Sequence, residues 1–338
     1  MGKSWIGYGV RRRKDEITLD VTFSVIEASN SALSNLAGST ETGFYVIDEA
    51  GAASASLPYV STTESYADID CGVFVLKDDS QGVETAEEGY FKLQLISKRL
   101  VQPHGVNLAG VFGKLENVAW SNYGPIRLQD VDSVRIEKLG SVTPLSITHV
   151  DKFPYMVNYH IPSGIRIADA GRARLGAYLG EGTIIMPAGY VNFNAGTEGN
   201  AMVEGRVSGG VFVSKDSDIG GGASIMGTLS GGNDHVIEIG SKCLLGANSG
   251  TGISLGYGCT IQAGVYITAG MKISLLDKEN KPVDINGNSV DKGQNIVKAM
   301  ELSGKDYLLF IQDSQTGEVI CKPNTKIIVL NEELHANN

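Results

Sequence analysis

The sequence predicts a mainly β chain: a left-handed parallel β-helix, a solenoid of hexapeptide repeats, with an α/β N-terminal domain before it and a small C-terminal β-rich region after it. Two observations carry the central element. Residues 164–270 hold 25 of the 43 glycines, and aliphatic or small residues recur there at every sixth position. Collagen would need strict triplets with proline, and disorder would need few β-branched residues, so neither explains the stretch.

The row runs through Ile167, Ala173, Leu179, Ile185 and Val191, is interrupted by Thr197, and resumes at Val203. After a shift it restarts at Val213, Ile219 and Ile225, then at Ile239 and Leu245, and finally at Leu255, Ile261, Ile267 and Ile273. Six is neither a helical nor a strand period. A coil of three short strands per turn accounts for it, each hexad placing one aliphatic side chain in a prism-shaped core. The residue after the aliphatic one is often glycine, as in Leu179-Gly180, Ile219-Gly220 and Leu245-Gly246, which suits a tight corner. Parallel connections are normally right-handed, and the left-handed coil is an established exception. A glycine-rich β-sandwich would show period two with irregular turns. Two breaks in the row, 192–202 and 226–238, predict insertions extruded as loops, where solenoids carry binding residues.

The flanks divide as 1–110 for the N-terminal domain, 111–163 for a connecting segment, 164–276 for the coil and 277–338 for the C-terminal region. Residues 1–80 carry β-rich runs at 17–28, 42–50 and 71–78. Glu84–Val101 is acidic first and basic last, with an apolar stripe at Phe91, Leu95 and Ile96, and reads as a helix. Met271–Gln294 reads as a loop, Tyr307–Lys322 as a hairpin around Asp313–Gly317, and Asn331–His335 as a short capped helical turn.

Bulk properties narrow the function. A net charge of −10 argues against a nucleic-acid surface. No apolar run reaches a membrane span, and no apolar segment follows the basic Arg11–Lys14 to make a secretory signal. Cys71, Cys243, Cys259 and Cys321 have no paired spacing and read as reduced cytoplasmic thiols, with Cys243 and Cys259 as small core residues. His104, His149 and His160 lie outside the hexads and read as structural or solvated, as does His235 in the second break. One histidine in the coil is too few for a zinc hydratase built on this scaffold.

Several strings point further: DKFPYMVNYHIPSGIRIAD (Asp151–Asp169), VNFNAGTEG (Val191–Gly199), MVEGRVS (Met202–Ser208), GGGASIMGTLSGG (Gly220–Gly232), LLGANSGTGISLG (Leu244–Gly256) and AGVYITAG (Ala263–Gly270). With PHGVNLAGVF (Pro103–Phe112), NVAWSN (Asn117–Asn122) and the NEELHA string near the end, residues 90–335 resemble the tetrahydrodipicolinate N-succinyltransferase family. The resemblance implies a cytoplasmic homotrimer. It would move succinyl from succinyl-CoA, a co-substrate rather than a tightly bound cofactor, to the amine of L-2-amino-6-oxopimelate, the open form of tetrahydrodipicolinate, on the diaminopimelate route to lysine. An acetyl-CoA enzyme and a non-catalytic hexapeptide scaffold are the alternatives.

The resemblance makes Glu204 the catalytic carboxylate. Chemically, Glu204 could take a proton from the attacking amine as general base, or attack the thioester itself to form an acyl anhydride. Read without the family, it is as well a surface glutamate paired with Arg206. On one strand Arg206, two residues on, would face the same side as Glu204, and its guanidinium suits a carboxylate. Family positions for succinyl-CoA fall on Arg206, Gly221, Ser224, Gly227, Ala247, Gln262, Ala263, Gly270 and Lys298, and on the hairpin residues Ile311, Gln312, Asp313 and Ser314. Two departures stand out. Relatives often read Arg-Arg-Asn-Ser where this chain has Ile311-Gln312-Asp313-Ser314, which takes two cations from the nucleotide. Some relatives bind magnesium through an acidic pair on the trimer axis, and the matching Gly171 and Ala188 offer no ligand, so no metal is expected.

Overall fold

The structure is a computed structural model that describes residues 2–227, 236–326 and 328–330. It has two compact units, one within Met1–Ile96, His104–Pro154 and Asn158–His160, the other within Ser97–Pro103, Tyr155–Val157 and Ile161–Asn338.

In the first unit β1 (Trp5–Lys14) and β2 (Ile17–Glu27) form a hairpin turning at Asp15, whose φ is 56°. With β3 (Gly43–Val46), β4 (Thr62–Thr63) and β5 (Asp68–Leu76) they build an antiparallel sheet in the order β2-β1-β5-β3, β4 pairing with β5. Side chains alternate along β1 as strand geometry demands. Ile6 and Tyr8 join Cys71, Val73 and Val75 in a core with Leu33 and Ala37 of α1 (Ser31–Ala37) and Ala52 of α2 (Glu49–Ser54). On the other face Phe23 and Phe74 meet Phe91 of α3 (Ala86–Ser97), at 4.8 and 4.9 Å between ring centroids. Helix α3 starts after Thr85, whose hydroxyl accepts the Glu88 N–H. It is buried all round over Tyr90–Ile96 rather than along the expected stripe. Lys92 is tolerated there because its ammonium reaches Glu88 at 2.8 Å and the carbonyls of Gln81 and Asn107. The basic run on β1 is a set of ion pairs: Arg11 with Asp70 and Glu87, Arg12 with the fully buried Asp20, and Arg13 with Asp70. Beyond α4 (Val111–Lys114), a smaller sheet follows: β6 (Val118–Ser121), β7 (Gly124–Arg127) and β8 (Ile147–Asp151), in the order β7-β6-β8, with α5 (Val131–Lys138) between β7 and β8.

The second unit is the parallel coil. Its first face stacks Arg166–Ile167, Ile184–Ile185, Met202–Val203, Asp218–Ile219, Leu244–Leu245 and Thr260–Ile261 in parallel register. A second face stacks Tyr190–Val191, Arg206–Val207, Ser224–Ile225, Gly250–Thr251 and Tyr266–Ile267. The third runs through Ala177–Leu179, Ala195–Thr197, Phe212–Val213 and Glu238–Ile239. The predicted hexad row is thus three inward columns, one to a face. Phe310 extends the first column below Ile261.

Two expectations change. Residues 192–202 hold no insertion: Thr197 sits in the core row, fully buried, and shares a 2.8 Å hydrogen bond with Thr183. The true irregularities are shortened corners, four residues instead of six, between Val203 and Val207 and between Thr251 and Leu255. The break at 226–238 is longer than a hexad, and most of it lies outside the described residues, as do His235 and the expected turn at Asn331–His335.

Glycine acts at two distinct corner positions. At Gly180, directly after the core residue Leu179, the coils approach too closely for a side chain: a Cβ there would lie 1.9 Å from the Glu198 carbonyl oxygen. Three residues after the core residue the backbone turns through positive φ, at Gly182, Asn200, Asp216, Lys242 and Gly258 on one corner.

The region after the coil is more ordered than expected at its start. Lys272–Leu275 is a strand that pairs with Ile296–Lys298 and with Val319–Pro323. After it, turns form on Asp277 and Asp284, each carboxylate accepting two main-chain N–H groups. The hairpin is present, Leu308–Gln312 against Val319–Pro323, and Gly317 turns it at φ 75°. Among the described residues no helix is long and apolar enough to cross a membrane.

Candidate active site

The corner between the first and second faces is the part of the coil that gathers the predicted residues. Glu204, Gly221, Ala247 and Ala263 fall there on successive coils. Main-chain bonds tie the corner together: the N–H of Gly222 donates to Glu204 O at 3.3 Å, that of Asn248 to Gly221 O at 2.8 Å, and that of Gly264 to Ala247 O at 2.9 Å. Gly222, Asn248 and Gly264 carry the positive φ. The coil of Glu204 has no such residue because its corner is the short one. There the N–H groups of both Glu204 and Gly205 donate to Ile219 O, at 2.8 and 3.1 Å.

This geometry corrects one expectation. Glu204 and Arg206 do not share a strand: the corner separates Met202–Val203 on one face from Arg206–Val207 on the next. No ion pair joins them among the described residues. Arg206 is exposed and donates from Nη2 to Ser224 Oγ at 2.6 Å, its neighbour one coil on. The Glu204 carboxylate instead overhangs Gly221. A Cβ on Gly221 would meet only Glu204 Oε2, at 3.3 Å.

The remaining predicted residues fall in further groups. Gln262 opens the same corner in the last coil, and its Oε1 accepts the Gln312 N–H at 2.9 Å, which ties the hairpin to the corner. Ile311 lies on the hairpin strand opposite Ile320. Asp313 is a turn cap: the N–H groups of Thr316 and Gln315 hold its carboxyl below the usual range, and Ser314 is exposed in the same turn. Gly227 ends the second-face strand Ser224–Ile225 two residues on, where a Cβ would meet Gly209 O at 2.7 Å. Gly270 and Lys298 meet elsewhere: the N–H groups of Ala299 and Met300 donate to Met271 O and Ala269 O, which closes that segment over the Gly270 turn.

Sequence reading missed an open groove of about 490 Å³ on the first face, lined by Arg166, Ile184, Met186, Pro187 and Met202. It reaches Met202, two residues before Glu204. The available signal was the outward position of each hexad, which carries Ile184 and Met202 where a solvated face would carry polar residues.

A family profile described as tetrahydrodipicolinate N-succinyltransferase middle matches residues 115–155, and one described as hexapeptide repeat of succinyl-transferase matches 236–269. The chain is similar to a 2,3,4,5-tetrahydropyridine-2,6-dicarboxylate N-succinyltransferase of Vibrio cholerae, 48% identical over 323 residues, covering 92% of this chain and 91% of that one. It is 52% identical over 264 residues to the protein of that name from Pseudomonas aeruginosa, covering 78% of this chain and 73% of the other. A solved structure from Campylobacter jejuni, described as a 2,3,4,5-tetrahydropyridine-2-carboxylate N-succinyltransferase, superposes with a TM-score of 0.80 at 33% identity, covering 96% of this chain and 93% of that one. With near-half identity along nine-tenths of its length, and with the parallel coil to match, the chain belongs to the tetrahydropyridine-dicarboxylate N-succinyltransferase family of enzymes.

Proposed function

We propose that the chain moves succinyl from succinyl-CoA to the amine of L-2-amino-6-oxopimelate, formed from tetrahydrodipicolinate in the diaminopimelate route to lysine, and that Glu204 is its catalytic group. The observation that carries the site is the Glu204 carboxylate, held over Gly221 at a short corner and unpaired with Arg206. As general base it would take the proton the amine loses on attacking the thioester carbonyl; collapse of the tetrahedral intermediate expels the coenzyme thiolate, which is then protonated. As nucleophile it would form the anhydride first, release the thiolate, and pass succinyl to the amine. The exposed Arg206, braced by Ser224, suits the free carboxylate of a succinyl group, which an acetyl group lacks.

In this reading the acyl donor runs along Gly221, Ser224, Gly227, Ala247, Gln262 and Ala263 to Gly270 and Lys298, with the 311–314 turn beside it. The coil winds left-handed, as in hexapeptide-repeat proteins, and three copies assemble so that neighbouring coils wall the cleft. The enzyme works in the cytoplasm. The open faces of the solenoid support assembly, since stacked strands leave surfaces that a partner coil can cover. Light scattering should give three times the chain mass, and an active monomer would remove the trimer from the proposal.

Thiol release tests the chemistry, with succinyl-CoA and acetyl-CoA offered alongside tetrahydrodipicolinate. Release is expected to require the acceptor and to favour succinyl-CoA. Glu204→Gln should lower kcat by about 10²–10⁴-fold while KM for succinyl-CoA moves little. A variant within threefold of the parent kcat would remove Glu204 from the mechanism.

A further inference from the structure

Lys272 opens the strand Lys272–Leu275 and stands directly across the antiparallel ladder from Lys298. Both side chains are exposed, and neither ammonium makes a hydrogen bond or ion pair among the described residues. The nearby Glu301 makes no ion pair with either ammonium among the described residues; its Oε1 accepts the main-chain N–H of Lys298 at 2.8 Å. Residues opposed in this way have Cβ atoms about 4.5–5.5 Å apart, and like charges so placed repel. The pair is also fixed in place. Ala299 donates to Met271 O at 2.8 Å and Met300 to Ala269 O at 3.0 Å. Beside it, Gly270 has no atom within 4 Å of where its Cβ would be, so the surface next to the two ammonium groups is bare.

Two cations on adjacent strands, facing open space, are a complement for one doubly charged anion. A phosphate monoester satisfies both at once, and lysine binds phosphate as a point charge. We propose that Lys272 is a second phosphate-binding residue, which with Lys298 holds a phosphate of the nucleotide half of the acyl donor. The assignment rests on the reading that the donor is a coenzyme A thioester. It supplies a cation that the hairpin residues Ile311 and Gln312 do not.

The test uses the full chain and adenosine 3′,5′-bisphosphate as the probe, by titration calorimetry at low and moderate salt. Lys272→Ala should weaken the probe by about 10-fold, as expected for a lost charge-assisted contact, and should lower the salt dependence of binding. Lys272→Arg should keep affinity within about threefold of the parent. In kinetics, Lys272→Ala should raise KM for succinyl-CoA and leave kcat, and should not raise KM for succinyl-pantetheine, which has no nucleotide. A Lys272→Ala chain that binds the probe as the parent does would overturn the proposal, as would equal KM effects on the two donors. If probe binding depends on Lys272 but the parent turns over no coenzyme A thioester, the phosphate site stands and the reading of the reaction falls.

Discussion

Gly221 is where the geometry of the corner can be tested without dismantling the coil. Alanine there would add one Cβ, and that Cβ would meet one atom, Glu204 Oε2, at 3.3 Å. The backbone is not in the positive-φ region, so alanine fits its conformation and should restrict the unfolded chain, for a gain of about 0.4–1 kcal/mol. The carboxylate must yield by a few tenths of an ångström. A displacement of about 1 Å at a reacting group costs about 10²-fold; scaled logarithmically, a shift of ~0.3–0.5 Å costs about 4–10-fold in kcat. Gly220→Ala is the contrasting variant. Its Cβ would lie 2.6 Å from Leu245 O and 3.0 Å from Ala247 N, main-chain atoms of the next coil, so the loss should be in stability, about 1–3 kcal/mol as for an overpacked core. Gly270→Ala meets nothing within 4 Å and should fold as the parent does. Urea midpoints and steady-state thiol release on the three variants separate these outcomes. A Gly221→Ala chain with parental kcat, or one destabilised like Gly220→Ala, would refute the claim that the Glu204 carboxylate is set by its contact with residue 221.

The buried threonine pair has a direction that predicts unequal costs. Thr183 donates to Gly180 O at 2.6 Å, so Thr197 must donate to Thr183, and Thr183→Val strands a buried donor at about 1–3 kcal/mol whereas Thr197→Val costs less than about 1 kcal/mol; thermal melts giving the reverse order would contradict the assignment. Burial pushes the Cys321 thiol from its ordinary 9.0 up to about 12, so the folded state keeps a proton that the unfolded state has lost. Its contribution is therefore present below pH 9 and lost as pH rises from about 9 to 12, at up to ~1.4 kcal/mol per unit, and Cys321→Ala should flatten the alkaline limb of a stability profile. A limb unchanged in the variant would show that other groups account for it.

The coil was legible because a solenoid writes its core into sequence once per hexad, so Ile185, Val203, Ile219, Leu245 and Ile261 appear as a row before any fold is known. What failed was polarity and length. Thr197 hid a regular hexad because its hydroxyl is satisfied by Thr183, a residue in another hexad. Val207 was lost from the row because it follows Val203 by four positions, and the same loss concealed the corner at Glu204. In the first unit, β1 was missed because Gly7 and Gly9 occupy alternate positions where apolar residues would announce a strand; there the rings of Phe91 and Phe23 would lie 2.7 Å from an added Cβ. Arg11, Arg12 and Arg13 showed in the sequence only as a basic stretch, because their partners Asp70 and Asp20 come from other strands. Candidate site residues could be proposed from the family strings, but their grouping could not: that depends on which corner each occupies.

With Glu204 as the proposed catalytic group, the short corner itself becomes a test of the site. Two fewer residues span the turn from Val203 to Val207 than span it from Ile219 to Ile225 in the next coil, so the backbone at Glu204-Gly205 cuts across instead of bowing outward. The doubled donation to Ile219 O is the mark of that cut. The cut lets the Glu204 side chain lie over Gly221, where a full-length corner would place a loop. Restoring the missing length by inserting Gly-Asn after Gly205 should therefore separate folding from activity. The coil should accept it, since the corners below already carry Gly222, Asn248 and Gly264 in positive φ, and inward Val203 and Val207 keep their places. Activity should fall by about 10²-fold or more, because the carboxylate would move by an ångström or more. The circular dichroism spectrum and the melting temperature should stay near the parental ones. An insertion variant that folds and retains parental kcat would show that the reaction does not depend on the shortened corner.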